Sequence, residues 1–175
     1  MILLKNKNGD IKQFNNIFEI GMGFADWIDI TNTEEGKVYL LQKAKNEKLN
    51  KLNEFHDSDE IRNLTIKTSK NLFIYSSLRD ARDILVEQID ANRNGIECGL
   101  IDINKAGFLF FQNGKAEFIS LNNLKIIYAK LMEIVNKNYA TKLIHITKIS
   151  EITNLQDLEN YDFKKNYITN QILTL

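Results

Sequence analysis

Apolar residues fall into two kinds of run along this chain: short blocks bounded by turn residues, and longer stretches repeating every three to four positions. The clearest short blocks are GFLFFQ (107–112) and KAEFISL (115–121), separated by Asn113-Gly114. Asn-Gly readily supplies the positive φ angles of a tight type I′ turn, so the pair is expected as a β-hairpin. The first strand is apolar on both faces, Phe108 and Phe110 against Leu109 and Phe111. It is therefore expected to be central and covered on both sides. ECGLIDI (97–103) extends this to a three-stranded meander through NKAG. Asn8-Gly9 predicts a second hairpin, MILLK against IKQF. Further strands are expected at 26–31, 37–43, 63–68 and 71–76, and at LIHITKI (143–149).

The longer repeats predict helices. Ser77 is expected to cap LRDARDILVEQIDANR, with Leu78, Ala81, Leu85 and Ile89 on one face and Asn94-Gly95 ending it. NNLKIIYAKLMEIVNKN (122–138) places Leu124, Ile127, Tyr128, Leu131 and Val135 on one stripe, the spacing of a helix lying on a sheet. A third helix spans roughly 154–170 with weaker periodicity, and a polar one lies around 44–55. The order predicts an α+β fold: a mixed or largely antiparallel sheet with Asn-Gly hairpins and helices packed mainly on one face. One globular domain over residues 1–175 accounts for the length.

Composition changes this picture in a few respects. Lys plus Arg and Asp plus Glu both number 23, giving zero formal charge. That lowers the expectation of direct nucleic-acid binding, which draws much of its affinity from phosphate neutralisation. No apolar run approaches the roughly 18–20 residues of a membrane span. The start, MILLKNKNGD, turns polar after four residues and lacks a signal-peptide core. One cysteine, Cys98, excludes an internal disulfide and any multi-cysteine zinc site. In an apolar strand without a basic neighbour, it reads as a buried structural thiol. A soluble, cytoplasmic protein is the expectation. Proline is absent, so Asn, Gly and Asp must make the turns.

Candidate chemistry is sparse. In a strand, His145 and Thr147 of LIHITKI would share one face. With His56 and Ser58 in HDS, this resembles the paired H-x-[ST] half-sites of the two-histidine phosphoesterases. The resemblance implies histidines acting as acid and base and hydroxyls holding phosphate. Against it, EFHDSDEI is polar and acidic, and Asp57 with Glu60 reads as a capping box opening a short helix. DANRNG (90–95) fits the first half of a calcium loop, but position twelve falls on Ile101 where a bidentate glutamate belongs. GMG (21–23) lacks the third glycine of a dinucleotide loop. Neither pattern calls for a cofactor or a metal. Trp27 is expected in the core.

Two acidic groups remain: Asp26, Asp29, Glu34 and Glu35, then Asp57, Asp59 and Glu60, beside Glu54. They suit a docking surface for a basic protein partner. The chain is therefore expected to be a non-catalytic binding protein, most concretely a cytoplasmic immunity protein that neutralises a bacterial toxin such as a nuclease effector. The alternatives are the phosphoesterase-like enzyme and a non-catalytic subunit of a larger assembly.

Overall fold

The computed structural model describes residues 1–24 and 26–175; the backbone of Met22 is included but not its side chain. In chain order the elements are β1 (Ile2–Lys5), β2 (Ile11–Phe14), β3 (Ile28–Asp29), α1 (Glu34–His56), α2 (Asp59–Arg62), β4 (Asn63–Lys67), β5 (Leu72–Ser76), α3 (Arg79–Glu97), β6 (Gly107–Gln112), β7 (Lys115–Ser120), α4 (Leu121–Glu151), α5 (Leu155–Asn160) and β8 (Gln171–Thr174). The fold is α+β, with small sheets that are mostly antiparallel. Among the described residues no helix is long and apolar enough to cross a membrane. Two compact units divide the chain.

The first unit holds Met1–Asn50 and Lys148–Tyr161. Its sheet has the order β2-β1-β3, antiparallel throughout. The expected N-terminal hairpin forms, with Ile2 opposite Phe14, and Gly9 takes φ +92 in its turn. Asn6 Oδ1 accepts hydrogen bonds from the Asn8 and Asp10 amides and so shapes that turn. Leu3, Leu4 and Ile30 are buried. The strand expected at 37–43 is instead the start of α1, which runs unbroken through the expected polar helix. Thr33 explains the start: its hydroxyl accepts from the Gly36 amide, while Glu34 and Glu35 lie at the positive end of the helix dipole. Trp27 is half-buried, edge-on to Phe24, with the Lys12 ammonium over both rings.

The second unit holds Lys51–Thr147 and Asp162–Leu175. Its main sheet has the order β5-β4-β8. β4 pairs antiparallel with β5 and parallel with β8, and Thr65 stands between Ile74 and Ile172. β6 and β7 form the expected hairpin, with Asn113 at φ 54 and Gly114 at φ 74. Leu64, Ile66 and Phe73 from the sheet and Leu85, Leu124 and Ile127 from α3 and α4 belong to one buried core.

Several expectations are corrected here. Residues 97–103 form no strand, so the meander is only a hairpin. α3 runs past Asn94-Gly95 because Gly95 packs directly beneath Ile101, where a Cβ would meet Cδ1 at 2.5 Å. The helix ends at Cys98, which is exposed, and Gly99 follows at φ +70. DANRNG is thus helical and does not form a calcium loop. Ser77 is not the cap of α3; Leu78 holds that position without a side-chain cap bond, and Ser76 Oγ accepts from the Leu78 amide. LIHITKI is the continuation of α4. The last expected helix shrinks to α5; residues 161–170 form turns and irregular chain, and β8 follows them.

Candidate functional site

Three surfaces or clusters carry the candidate chemistry. The first is the outward face of the second unit's strands. β6 is not covered on both sides as its sequence suggests. Phe108 and Phe110 pack on the core, Phe110 against Phe73 and Tyr75. The opposite parity is open: Leu109 is 59% exposed and Phe111 71%. Their cross-strand partners are Phe118, 51% exposed, and Ala116. Gln112 ties this hairpin to the edge of β5, accepting from the Ile74 amide at 2.7 Å and donating to the Ile74 carbonyl at 2.9 Å. Leu72, Ile74 and Ile172 are also exposed on outward strand positions. Several large apolar side chains next to one another in water are unusual on a monomer and mark a contact surface.

The second feature is the pair of histidines. Both pack on the ring of Tyr167: His145 stacks on it at 5.8 Å between centroids, and His56 meets it tilted at 5.9 Å. Phe55 closes the cluster edge-on to Tyr167. His145 is buried, with Nε2 2.9 Å from the Lys165 carbonyl oxygen. Because 143–149 is helical, His145 and Thr147 do not share a face; two residues of helix turn the side chain by about 200°. Ser58 is the N-cap residue of α2, and its hydroxyl donates to the Phe55 carbonyl. The side-by-side strands of the H-x-[ST] pattern are therefore not formed, although the histidines share a neighbour.

His56 opens instead onto a cavity of about 220 Å³. Arg62, Arg79, Arg82, Ser77 and Tyr139 contribute to its walls. Burial pushes the His56 imidazole below its ordinary pKa, and the Lys142 ammonium and Arg62 add to that shift against the opposing Asp57. Sequence reasoning missed this cluster because its arginines lie on separate elements, α2 and α3, with no motif between them.

The acidic residues are placed separately. In the first unit Glu35 pairs with Lys5 at 2.5 Å and Glu34 with Lys37 at 2.6 Å. Asp29 accepts from the Thr31 amide and hydroxyl, and the hydroxyl bond holds its carboxyl below the usual range. Asp26 is exposed. In the second unit Asp57 is paired with Arg62, while Asp59 and Glu60 are exposed in the first turn of α2. Four of the seven carboxylates are thus already engaged within the chain, which leaves Asp26, Asp59 and Glu60 as the stronger candidates for an outside cation. Among the described residues no cluster of His, Cys, Asp and Glu is arranged to hold a metal.

Compared with known proteins, the chain matches no family, no curated protein and no solved structure.

Proposed function

We propose that this chain is a protein-binding module whose docking surface is the open face of the β6–β7 hairpin. The observation that carries the reading is the exposed trio Leu109, Phe111 and Phe118 on one side of a two-stranded ribbon. Aromatic and aliphatic side chains held rigidly on strands are what interface centres are made of. Exposed Leu72 and Ile74 on neighbouring β5 enlarge the apolar area. Asp59 and Glu60, and separately Asp26, supply carboxylates that speed association with a basic partner. In its most concrete form the module is a cytoplasmic immunity protein that occludes a toxin, such as a nuclease effector, by stoichiometric binding without turnover.

The test is parallel affinity capture from the native host with the parent chain and with Phe111→Ser. The parent is expected to retain one partner in a defined stoichiometric complex. The variant is expected to lose about 2 kcal/mol, or roughly thirtyfold in affinity, as for a central aromatic anchor. Its thermal midpoint should stay within a few degrees of the parent's, because the ring is mostly in water. A partner bound equally by both chains would remove the hairpin face from the proposal. Protection of cells by co-expression against the captured protein would test the immunity reading.

A further inference from the structure

The cavity beside His56 carries an inference independent of the hairpin face. Its walls include three arginines, and only two are matched by carboxylates. Arg62 pairs with Asp57, and Arg79 lies 3.6 Å from Asp83 in a loose exposed pair. Arg82 has no carboxylate partner among the described residues; its Nη1 faces the Met132 sulfur at 3.3 Å, a weak acceptor. Among the described residues, Arg62 Nε, Arg82 Nε and His56 Nδ1 are buried without hydrogen-bond partners. Ser77 is only 8% exposed and lines the same cavity. Buried donors left without acceptors are costly, each by a sizeable part of a domain's net stability. The arrangement makes physical sense once an acceptor-rich anion fills it.

The remaining geometry narrows the ligand. Ser77, Arg79 and Arg82 bracket the start of α3, whose 19 residues place the positive end of a helix dipole there. A volume of about 220 Å³ falls below the roughly 300–1,000 Å³ of sites for drug-sized ligands. Tyr139, more than half exposed, stands at the wall with ring surface to offer a small substituent. We infer that this cavity is a binding site for a phosphoryl group, held by Arg82, Arg62 and Arg79 with the Ser77 hydroxyl and the amino end of α3. The site binds inorganic phosphate or the phosphoryl end of a small monoester; the two sources share the same oxygens and differ in what meets Tyr139.

The two histidines give the experiment an internal control, because His56 lines the cavity and His145 does not. The full chain is titrated with inorganic phosphate, with phenyl phosphate, and with chloride at matched ionic strength, following both imidazoles by NMR. Phosphate is expected to move the His56 signal saturably while His145 stays still. Tighter binding of phenyl phosphate assigns the site to monoesters; equal binding assigns it to free phosphate. Arg82→Gln is expected to weaken binding at least tenfold, the order of one charge-assisted contact. Arg79→Gln alters a residue that is mostly in water, so it tests the site even if the Arg82 variant fails to fold, and it too should weaken binding. A His56 shift no larger in phosphate than in chloride overturns the inference, and so does phosphate binding unchanged in Arg79→Gln and in a folded Arg82→Gln.

Discussion

Single side chains decide how the second unit responds to its surroundings, and His56 is the clearest case. An imidazole in an unfolded chain titrates near its ordinary value of about 6.5. In the fold, burial and the Lys142 ammonium hold the His56 pKa lower. Below the ordinary value the unfolded chain therefore binds more protons, so acidification favours unfolding. The stability His56 contributes is present in full above that value and is lost as pH falls through its folded pKa. Thermal midpoints measured from neutrality down to about pH 5, the range in which histidines titrate, should fall less steeply for His56→Gln than for the parent. Parallel curves would show that other groups set the acid limit. Asn138 offers a second test. It is fully buried in α4, donating from Nδ2 to the Ile168 carbonyl at 2.9 Å and accepting at Oδ1 from the Ile168 amide at 2.8 Å. Asn138→Ala leaves both backbone groups without partners and is expected to cost about 2–6 kcal/mol in urea unfolding, at roughly 1–3 kcal/mol for each group. Asn138 and His145 together explain why the second half of α4 reads as a strand. Leu131, Ile134, Asn138, His145 and Ile149 are all buried at helical spacing. Polar Asn138 and His145 interrupt the apolar stripe, so the sequence after residue 138 looks like a new alternating strand.

At the scale of elements, sequence and structure agree best where turn chemistry is local. Asn8-Gly9 and Asn113-Gly114 mark two of the antiparallel hairpins, and the strands of a third, β4 and β5, lie within a residue of their expected bounds. Disagreement comes where tertiary contact overrides the local signal. Gly95 reads as a stop but serves as a packing position under Ile101. β8 has no partner nearby in sequence, and its pairing with β4 is parallel, so nothing local announces it. The open face of β6 was hidden because an exposed apolar run reads like a doubly buried one. The arginine cavity was invisible for a related reason, since its residues meet only after α2 and α3 are placed. One element-level prediction concerns how the hairpin is seated. Gly107 donates its amide to Asn92 Oδ1 at 2.7 Å, and a Cβ there would stand 2.3 Å from the Ile119 carbonyl oxygen. That oxygen is backbone and cannot rotate away. Gly107→Ala should therefore lose about 1–3 kcal/mol, as overpacked sites do, with β6 and β7 amides exchanging faster than those of β4. Unchanged exchange would mean the strand shifts without cost.

Across the whole chain, formal charge balances to zero, so any electrostatic preference must come from local clusters. Two such clusters of opposite sign lie in the second unit: the carboxylates at the start of α2 and the arginines of the cavity. If acidic residues set partner association, Asp59→Asn with Glu60→Gln should lower the on-rate several-fold at low ionic strength, with the difference vanishing in high salt. Dissociation should change little. Equal on-rates in low salt would assign recognition to the apolar face alone.

The parallel β8–β4 ladder has a further consequence for what a second copy of the chain can do. β4 receives β8 from more than half the chain away, Leu64 opposite Gln171, so closing that pair carries a large loop-closure cost and comes late. Until then β4 presents a row of unpaired amides and carbonyls, a ready template for any strand. At high concentration the Gln171–Thr174 strand of a neighbouring molecule fits that template as well as the chain's own. Each molecule would then complete the other's sheet, and the exchanged dimer would keep every hydrogen bond of the monomer.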